Sequence, residues 1–330
     1  MKRVIAFGNP LLDTIVLLQD KSLLEKYNLD VDGQKEISLS EMEALKEDIK
    51  DYDKTVTAGG CAQNTLKILQ WLLKKEYSVT MCGAIGGDSE GKLLEEILKQ
   101  HGIEPHYIVH KAYPTGTTVS LVTNDNRSLV AHLGAAEIVP LQYIHGTDII
   151  TQIEQSDLVY MEGFFLTKRT KTATFILNHC TSHNKMFAFN LCGEYLVDSL
   201  PELVDEFLSQ ADIIFGNRKE FDKICSLKGV SVENFLTALS EHGRGKIIAV
   251  TNGPSAVMCF GHGESCVAQA PTLSTEEIVD TTGAGDSFAG GFLAGYLQEK
   301  SLKECLQLGC HAAYTIIKRR GCTVPEFSAS

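Results

Sequence analysis

Asp280-Thr281-Thr282-Gly283-Ala284-Gly285-Asp286, continuing into Ser287-Phe288-Ala289-Gly290-Gly291-Phe292-Leu293-Ala294-Gly295-Tyr296-Leu297, is a turn of small residues that enters an apolar helix. An extended segment, Glu277-Ile278-Val279, precedes it. The first N–H groups of a helix have no carbonyl partners within it and converge on one spot. Aligned peptide dipoles add partial positive charge there, so the spot suits a phosphate. Gly283 and Gly285 remove the side chains that would hold an anion away. Asp286 then sets a carboxylate beside the anion site, which is unfavourable for binding alone because the charges repel. The arrangement becomes useful if the acid takes the proton of a hydroxyl that attacks phosphorus. The plainer alternative is a turn with Asp286 as helix N-cap. Gly290, Gly291 and Gly295 each cost roughly 1 kcal/mol relative to Ala in a helix. Something must therefore approach this helix closely, whether a ligand or a neighbouring element.

Upstream, strands and helices alternate: Leu158 to Met161, Thr170 to His183, Met186 to Asn190, Pro201 to Gln210, Ile213 to Phe215, Ser231 to His242 and Ile247 to Thr251. This alternation predicts a large, doubly wound, mostly parallel sheet with helices on both faces. Asn190, Asn217 and Thr251 each follow a strand, on the edge where open α/β sheets hold ligands. Asn217 and Glu220 carry oxygens suited to Mg2+ or its waters; without context they read as a helix cap and a surface acid. Ala256 to Phe260 and Ser265 to Ala268 read as antiparallel edge strands. Ser301 with Glu304 forms a capping box for the last helix, and Lys318, Arg319 and Arg320 before Gly321 suit its end.

Towards the N-terminus, Val4-Ile5-Ala6-Phe7 predicts a buried first strand that delivers Asn9 and Asp13 to the same edge, although Asn9 before Pro10 also suits an Asx turn. Ala58-Gly59-Gly60-Cys61-Ala62-Gln63-Asn64 opens an apolar helix, with glycines for close approach and an amide for a ligand hydroxyl. Val79 to Ile85 reads as a strand and Ser89 to Gln100 as a helix. Residues 14–58 have a different character: polar, with strand-like alternation only over Thr14 to Leu18 and helices at Leu23 to Tyr27 and Ser40 to Lys50, the second capped by Ser40 and Glu43. Pro114 to Thr123 and Leu129 to Leu133 form a hairpin around Asn124-Asp125-Asn126. Arg127 near its tip is either a solvated charge or, in a lid, a neutraliser of phosphate charge. The expected organisation is a large domain of residues 1–13, 59–112 and 134–330 with a small α/β lid of residues 14–58 and 113–133. Gly86-Gly87-Asp88-Ser89-Glu90-Gly91-Lys92-Leu93 imitates a P-loop. It lacks the hydroxyl residue after the lysine that would hold Mg2+, and its two acids repel phosphates.

The 330 residues carry a net charge of −12, which argues against a nucleic-acid partner. Ten scattered cysteines without a Cys-x-x-Cys pair read as free thiols in a reducing compartment. No apolar run reaches the length of a membrane span, so the chain is expected in the cytosol, away from membranes. The histidines show no metal-ligand spacing.

The Asp280–Phe292 stretch resembles the C-terminal signature of the ribokinase-like (PfkB) carbohydrate and nucleoside kinases. Seven further pieces occur in that family's order. They are Gly8-Asn9-Pro10-Leu11-Leu12-Asp13, Ala58-Gly59-Gly60 with Gln63-Asn64, Pro114-Thr115-Gly116-Thr117 and Asp125-Asn126-Arg127-Ser128-Leu129. Gly163-Phe164-Phe165-Leu166-Thr167, Phe215-Gly216-Asn217 with Glu220, and Gly321-Cys322-Thr323 with Pro325-Glu326 complete them. Within the family the resemblance is strongest to its adenosine-phosphorylating, eukaryotic-type branch.

The resemblance implies a ribokinase-like fold and transfer of phosphate from ATP, with Mg2+, to the 5′-hydroxyl of adenosine, giving AMP and ADP. On the family's pattern Gly283, Ala284 and Gly285 form the anion hole, Asp286 is the base, and Arg127 steadies the phosphates when the lid closes. Asn9, Asp13, Gly59, Gly60 and Asn64 hold the ribose, with Asp13 on its 2′- and 3′-hydroxyls. Phe164 and Leu133 line the base pocket with Gln34 close by. Asn190, Thr251 and Gly253 meet ATP, and Asn217 and Glu220 organise Mg2+ through water. The partners are then adenosine and ATP, with the chain acting as a monomer. With a reference pKa near 4, Asp286 would accept the proton late, as the new bond forms. The chain departs from the pattern at Thr282 (commonly Asn), at Cys61 (usually Ser) and around Cys310-His311. Three rivals remain: a family member acting on a sugar or another nucleoside, a Rossmann oxidoreductase, which lacks its Gly-x-Gly-x-x-Gly, and a silent nucleoside-binding protein.

Overall fold

Four consecutive buried residues, Val4 to Phe7, place Arg3–Phe7 (β1) inside a nine-stranded sheet. In the computed structural model, which describes residues 2–31, 33–74, 76–123, 126–241 and 245–325, β1 lies parallel to both Ser78–Gly86 (β5) and Leu158–Glu162 (β9). Ile103–His110 (β6) extends one side, parallel to β5. Phe187–Asn190 (β10), Ile213–Asn217 (β11) and Ile247–Thr251 (β12) continue the parallel run on the other. Val257–Gly261 (β13) and Glu264–Ala268 (β14) close that side as the expected antiparallel edge.

Side chains alternate across β1, so its two faces feed two cores. Val4 and Ala6 join the face covered by Cys61–Leu72 (α3), Ser89–Gln100 (α4), Ala284–Leu297 (α12) and Leu302–Ile316 (α13). Ile5 and Phe7 join the opposite face. That face is covered by Leu141–Gly146 (α5), Ile149–Gln155 (α6), Thr170–Ser182 (α7), Glu194–Ser199 (α8), Pro201–Gln210 (α9), Arg218–Lys228 (α10) and Val232–Ser240 (α11).

Packing, not a ligand, accounts for the α12 glycines. A Cβ at Gly290 would lie 2.5 Å from the Thr65 carbonyl oxygen on α3, and one at Gly291 2.7 Å from that of Leu308 on α13. The helix is wedged between two backbones, and burying Phe288 and Phe292 there contributes about 1.5–3 kcal/mol each. Of the segment expected to be extended before α12, Glu277 instead ends a 3-10 turn, Thr275–Glu277, while Ile278 and Val279 belong to no strand and are exposed. The last helix stops at Ile316, short of the basic trio. Lys318 instead pairs with Glu277 at 2.9 Å and lies over the Tyr314 ring.

Leu11–Leu17 (β2), Gln34–Glu36 (β3), Lys54–Gly59 (β4), Gly116–Thr123 (β7) and Asn126–His132 (β8) form a second sheet in the order β3-β8-β7-β2-β4. With Ser22–Lys26 (α1) and Leu39–Asp48 (α2) it has its own core, including Val16, Leu24, Met42, Leu45, Val119 and Val130. The β7–β8 hairpin is antiparallel; its tip residues 124 and 125 lie outside the described residues, as does Glu326. Residues 11–13 and Gly59 run within this second sheet, paired as Leu11 with Gly59 and Asp13 with Thr57. The capping box of α2 is Ser38 with Glu41, two residues earlier than expected.

Candidate active site

The order of the large sheet reverses at β1: the chain goes from β1 to β5 and β6 on one side, then returns to β9 on the other. Such a reversal parts the connections at the carboxyl ends of the strands and leaves a crevice. Asn9 follows β1, and Glu162, Asn190, Asn217 and Thr251 are the last residues of β9, β10, β11 and β12, so all five stand at that edge.

The start of α12 faces the same crevice. Gly283 is its N-cap, with φ +73° and no side-chain cap, and a Cβ there would lie 2.8 Å from that of Cys322. The Ala284 amide donates to the Thr281 carbonyl at 3.2 Å and the Ser287 amide to that of Gly283 at 2.7 Å. The Gly285 and Asp286 amides have no such acceptor among the described residues, and a Cβ at Gly285 would meet nothing within 4 Å. The helix therefore presents open amides to open space. Asp280 anchors the turn, its carboxylate accepting from the Thr282 and Gly321 amides, both at 2.8 Å.

Asp286 sits on the third residue of α12, buried, and accepts a hydrogen bond from Asn64 Nδ2 at 3.0 Å. It is not the N-cap. Burial pushes its pKa up to about 6, against the hydrogen bonds from Asn64 and Cys61, so the reference value near 4 does not hold in the fold. It lines a cleft of about 160 Å³ with Cys61, Asn190, Cys192, Asn217, Glu220, Thr251 and Gly285.

Asn9, Asp13, Gly59, Gly60 and Asn64 interlock beside it. A Cβ at Gly59 would fall 1.9 Å from the Asp13 carboxyl carbon, and one at Gly60 2.0 Å from the Asn9 carbonyl oxygen. Only glycine admits those neighbours. Thr118 Oγ1 donates to Asp13 at 2.6 Å, while burial raises the Asp13 pKa. Asn9 Oδ1 and Asn64 Oδ1 are buried acceptors with no donor among the described residues. Such atoms are costly unless something else fills their lone pairs.

Asn217 caps α10 as expected, accepting from the Glu220 amide at 2.9 Å, while the Glu220 carboxylate accepts from the Asn217 amide at 2.8 Å. Glu220 is not a surface acid: it is only 3% exposed, and burial pushes its pKa up to about 7. Phe164 lies over Gly193 and stacks with Tyr195, ring centroids 5.8 Å apart. Leu133 is half-buried beside Gly116. Arg127 sits on β8, where its charge lowers the Asp13 pKa. Gln34 and Gly253 are exposed and do not line the cleft.

Several contributors went unseen in the sequence. Glu162 is fully buried, accepts from the Asn9 amide at 2.9 Å and the Phe164 amide at 3.1 Å, and is pushed up to about 7 by burial. Arg169 holds the Phe164 loop through its carbonyl at 2.8 Å. Lys67, buried in α3, donates to the Ala58 and Cys322 carbonyls and places a cation beneath Asp13 and Asp286. The histidine expectation also needs correcting: His179 and His183 converge with Glu154 as a group that could hold a metal, and Cys61, Cys192 and Glu162 form another.

Residues 28–328 match the pfkB family carbohydrate kinase. The chain belongs to this family. It is 30% identical to the adenosine kinase of Schizosaccharomyces pombe over 98% of this chain and 97% of that one. It is 29% identical to adenosine kinase 2 of Arabidopsis thaliana, over 98% and 96% of the two chains. Its fold matches adenosine kinase from Schistosoma mansoni in complex with adenosine and AMP, with a TM-score of 0.86, 28% identity and coverage of 99% and 98%. The fold is thus ribokinase-like, and this kinase is a phosphotransferase.

Proposed function

We propose that this kinase transfers the terminal phosphoryl group of ATP to the 5′-hydroxyl of adenosine, giving AMP and ADP. One observation carries the reading: Asp286 and the open start of α12 stand side by side in the crevice, between the interlocked Asn9–Asp13–Gly60 group and the strand-end residues Asn190, Asn217 and Thr251. The adenosine kinases similar to this chain over nearly its whole length give the acceptor.

In this reading Asp13 takes the ribose 2′- and 3′-hydroxyls, and the unfilled oxygens of Asn9 and Asn64 accept from the nucleoside. Gly59 and Gly60 admit the sugar close to the backbone. Phe164, with Leu133 and Gln34 nearby, meets the base; aromatic contact with a base face contributes about 1–3 kcal/mol. Asp286 receives the 5′-hydroxyl proton as the bond to phosphorus forms. The backbone at Gly283, Ala284 and Gly285 receives the charge of the transferred group, with the Gly285 amide best placed to donate. Asn190, Thr251 and Gly253 meet ATP. The five-stranded sheet carries Asp13, Thr118 and Arg127, and its separate core lets it act as a lid that closes over the nucleoside and excludes water.

Kinases of this family use ATP with a divalent metal. The residues here fit Mg2+ held through water: Glu220 offers one desolvated carboxylate in the cleft, and Asn217 is already engaged as a cap. Bound with ATP, the ion neutralises phosphate charge. No described helix is long and apolar enough to cross a membrane, and the ten cysteines are free. Free thiols suit a reducing compartment, and the proposal places the chain in the cytosol as a monomer.

Incubating the chain with Mg-ATP and adenosine, inosine, guanosine or ribose, and quantifying each monophosphate, tests the proposal. AMP should form fastest. Faster phosphorylation of ribose or inosine would replace adenosine as the substrate, and no acceptor-dependent ADP would end the kinase reading.

A further inference from the structure

The amino-terminal edge of the large sheet carries a second cluster with chemistry of its own. Helix α6 ends at Gln155, just before β9 begins, and α7 ends at Ser182, just before β10 begins. Their facing ends therefore lie at the opposite edge from the crevice. There His179 Nε2 stands 3.3 Å from Glu154 Oε1 and His183 Nε2 3.9 Å from the same oxygen. The two imidazoles, one helical turn apart, stack with centroids 4.0 Å apart.

An ion pair between a surface histidine and a carboxylate is the plainer account. It requires a protonated ring with its N–H aimed at the oxygen. His179 Nε2 is buried and, despite the short distance to Glu154, is not aligned as a hydrogen-bond donor to any of the described residues. His183 Nδ1 lies 2.9 Å from the His179 carbonyl oxygen and 3.0 Å from Ser182 Oγ; in the tautomer that donates to the carbonyl, Nε2 offers a lone pair. That backbone bond is the kind of outer support that orients metal-bound imidazoles.

We infer that Glu154, His179 and His183 form a binding site for one divalent transition-metal cation of the zinc type, tying α6 to α7. Two imidazole nitrogens and one carboxylate oxygen, with water in the fourth position, are an established zinc donor set. Bond lengths of about 2.0–2.2 Å in a tetrahedron put ligand atoms about 3.3–3.6 Å apart. The pair at 3.3 Å already meets this, the pair at 3.9 Å needs a few tenths of an ångström, and all three atoms lie within 4.8 Å of one another. The carboxyl-terminal turn of α7 adds a dipole that favours a cation. Mg2+ and Ca2+, which seek oxygen ligands, are poor rivals for an imidazole pair.

The test is a Zn2+ titration of the intact, metal-free chain by calorimetry, with bound metal counted after dialysis. Wild type should take up one equivalent that is missing from Glu154→Gln/His183→Ala, and either single change should weaken binding by at least about tenfold. Zn2+ should raise Tm in wild type and not in the double variant, whose basal turnover stays at the wild-type level because no residue of the crevice is touched. Equal zinc content in wild type and double variant overturns the site. So does loss of the equivalent in Cys61→Ser in place of the double variant, since the metal would then sit in the crevice.

Discussion

Two successive helices, α12 and α13, begin in opposite ways. At α13 Ser301 and Glu304 close a reciprocal capping box, with the Glu304 carboxylate accepting from the Ser301 amide at 2.9 Å. At α12 a left-handed glycine stands where the cap would be, and the amides behind it are left open. Satisfying the first amides of a helix contributes about 0.5–2 kcal/mol, so leaving them open costs stability and reserves them for an anion. The acids follow the same division. Glu304, at the closed start, has its pKa lowered by the Ser301 hydrogen bonds, whereas burial raises that of Asp286 to about 6. Stability is concentrated at one start and reactivity at the other.

The largest effect should come from Asp286→Asn. The amide keeps the shape and the contact region of Asn64 but cannot take a proton, so turnover should fall by about 10²–10⁴-fold. Adenosine affinity, measured by calorimetry, should stay within a few-fold. Unchanged turnover would sink the base assignment. Gly285→Ala is the sharper probe of the open start. A Cβ there meets no protein atom within 4 Å, so the fold should tolerate it or gain up to about 1 kcal/mol in helix propensity. The methyl would nevertheless occupy the space in front of the open amides. We expect kcat/KM at least about tenfold lower with Tm unchanged or higher, one donor of an anion hole being worth about 10²-fold or more when lost outright. Full activity would mean that the phosphoryl group sits elsewhere.

What the sequence revealed, and what it hid, follows the range of the interactions. The start of α12 and the strand-end residues Asn190, Asn217 and Thr251 were legible because turn chemistry and alternating periods are local signals. Glu162 was not: it reads as the polar end of an apolar strand, and its importance lies in amides brought to it by Asn9 and Phe164. Lys67 carries no local signal: one of its partners, the Cys322 carbonyl, lies 255 positions away. Strand β6 carries Pro105, which argues against a strand except at an edge, where β6 indeed runs. At α2 the pattern Ser-x-x-Glu occurs twice, as Ser38 with Glu41 and Ser40 with Glu43, so the local signal is ambiguous, and the fold closes the first. Glu154 and the histidines of α7 escaped notice because the carboxylate comes from a different helix.

The buried acids predict that activity and stability run against each other with pH. Asp286, Glu162 and Glu220 have folded-state values of about 6, 7 and 7, above their ordinary 3.8, 4.5 and 4.5. The fold therefore binds protons more tightly than the unfolded chain. The stability these groups contribute is complete below about pH 4 and is lost as pH rises through 6 to 7. The exposed acids held low by hydrogen bonds, such as Glu41 and Glu304, change only below that window. Urea midpoints should thus fall between pH 4 and 8, and Glu220→Gln, which keeps the capping pattern, should be more stable than wild type at pH 8 and close to it at pH 4. Over the same range kcat/KM should rise as Asp286 ionises, levelling above about pH 7. A rate profile flat down to pH 5 would mean that no group of this kind must lose its proton.

The smallest effect should appear at the closed helix start. Ser301→Ala removes the hydroxyl that accepts from the Glu304 amide at 3.4 Å and leaves the rest of α13 intact. Capping losses of this kind cost about 0.5–2 kcal/mol, and the site is solvent-exposed, so the lower half of that range is expected. Because α13 packs along α12 rather than against the crevice, kcat and KM should stay at wild-type values while the denaturation midpoint falls. Read beside Gly285→Ala, the result separates the two helix starts in one pair of measurements: one substitution lowers stability and spares turnover, the other lowers turnover and spares stability. A drop in kcat for Ser301→Ala would show that the open start of α12 depends on how firmly its neighbour is anchored, so that the division of labour between the two helices is a coupling rather than a separation.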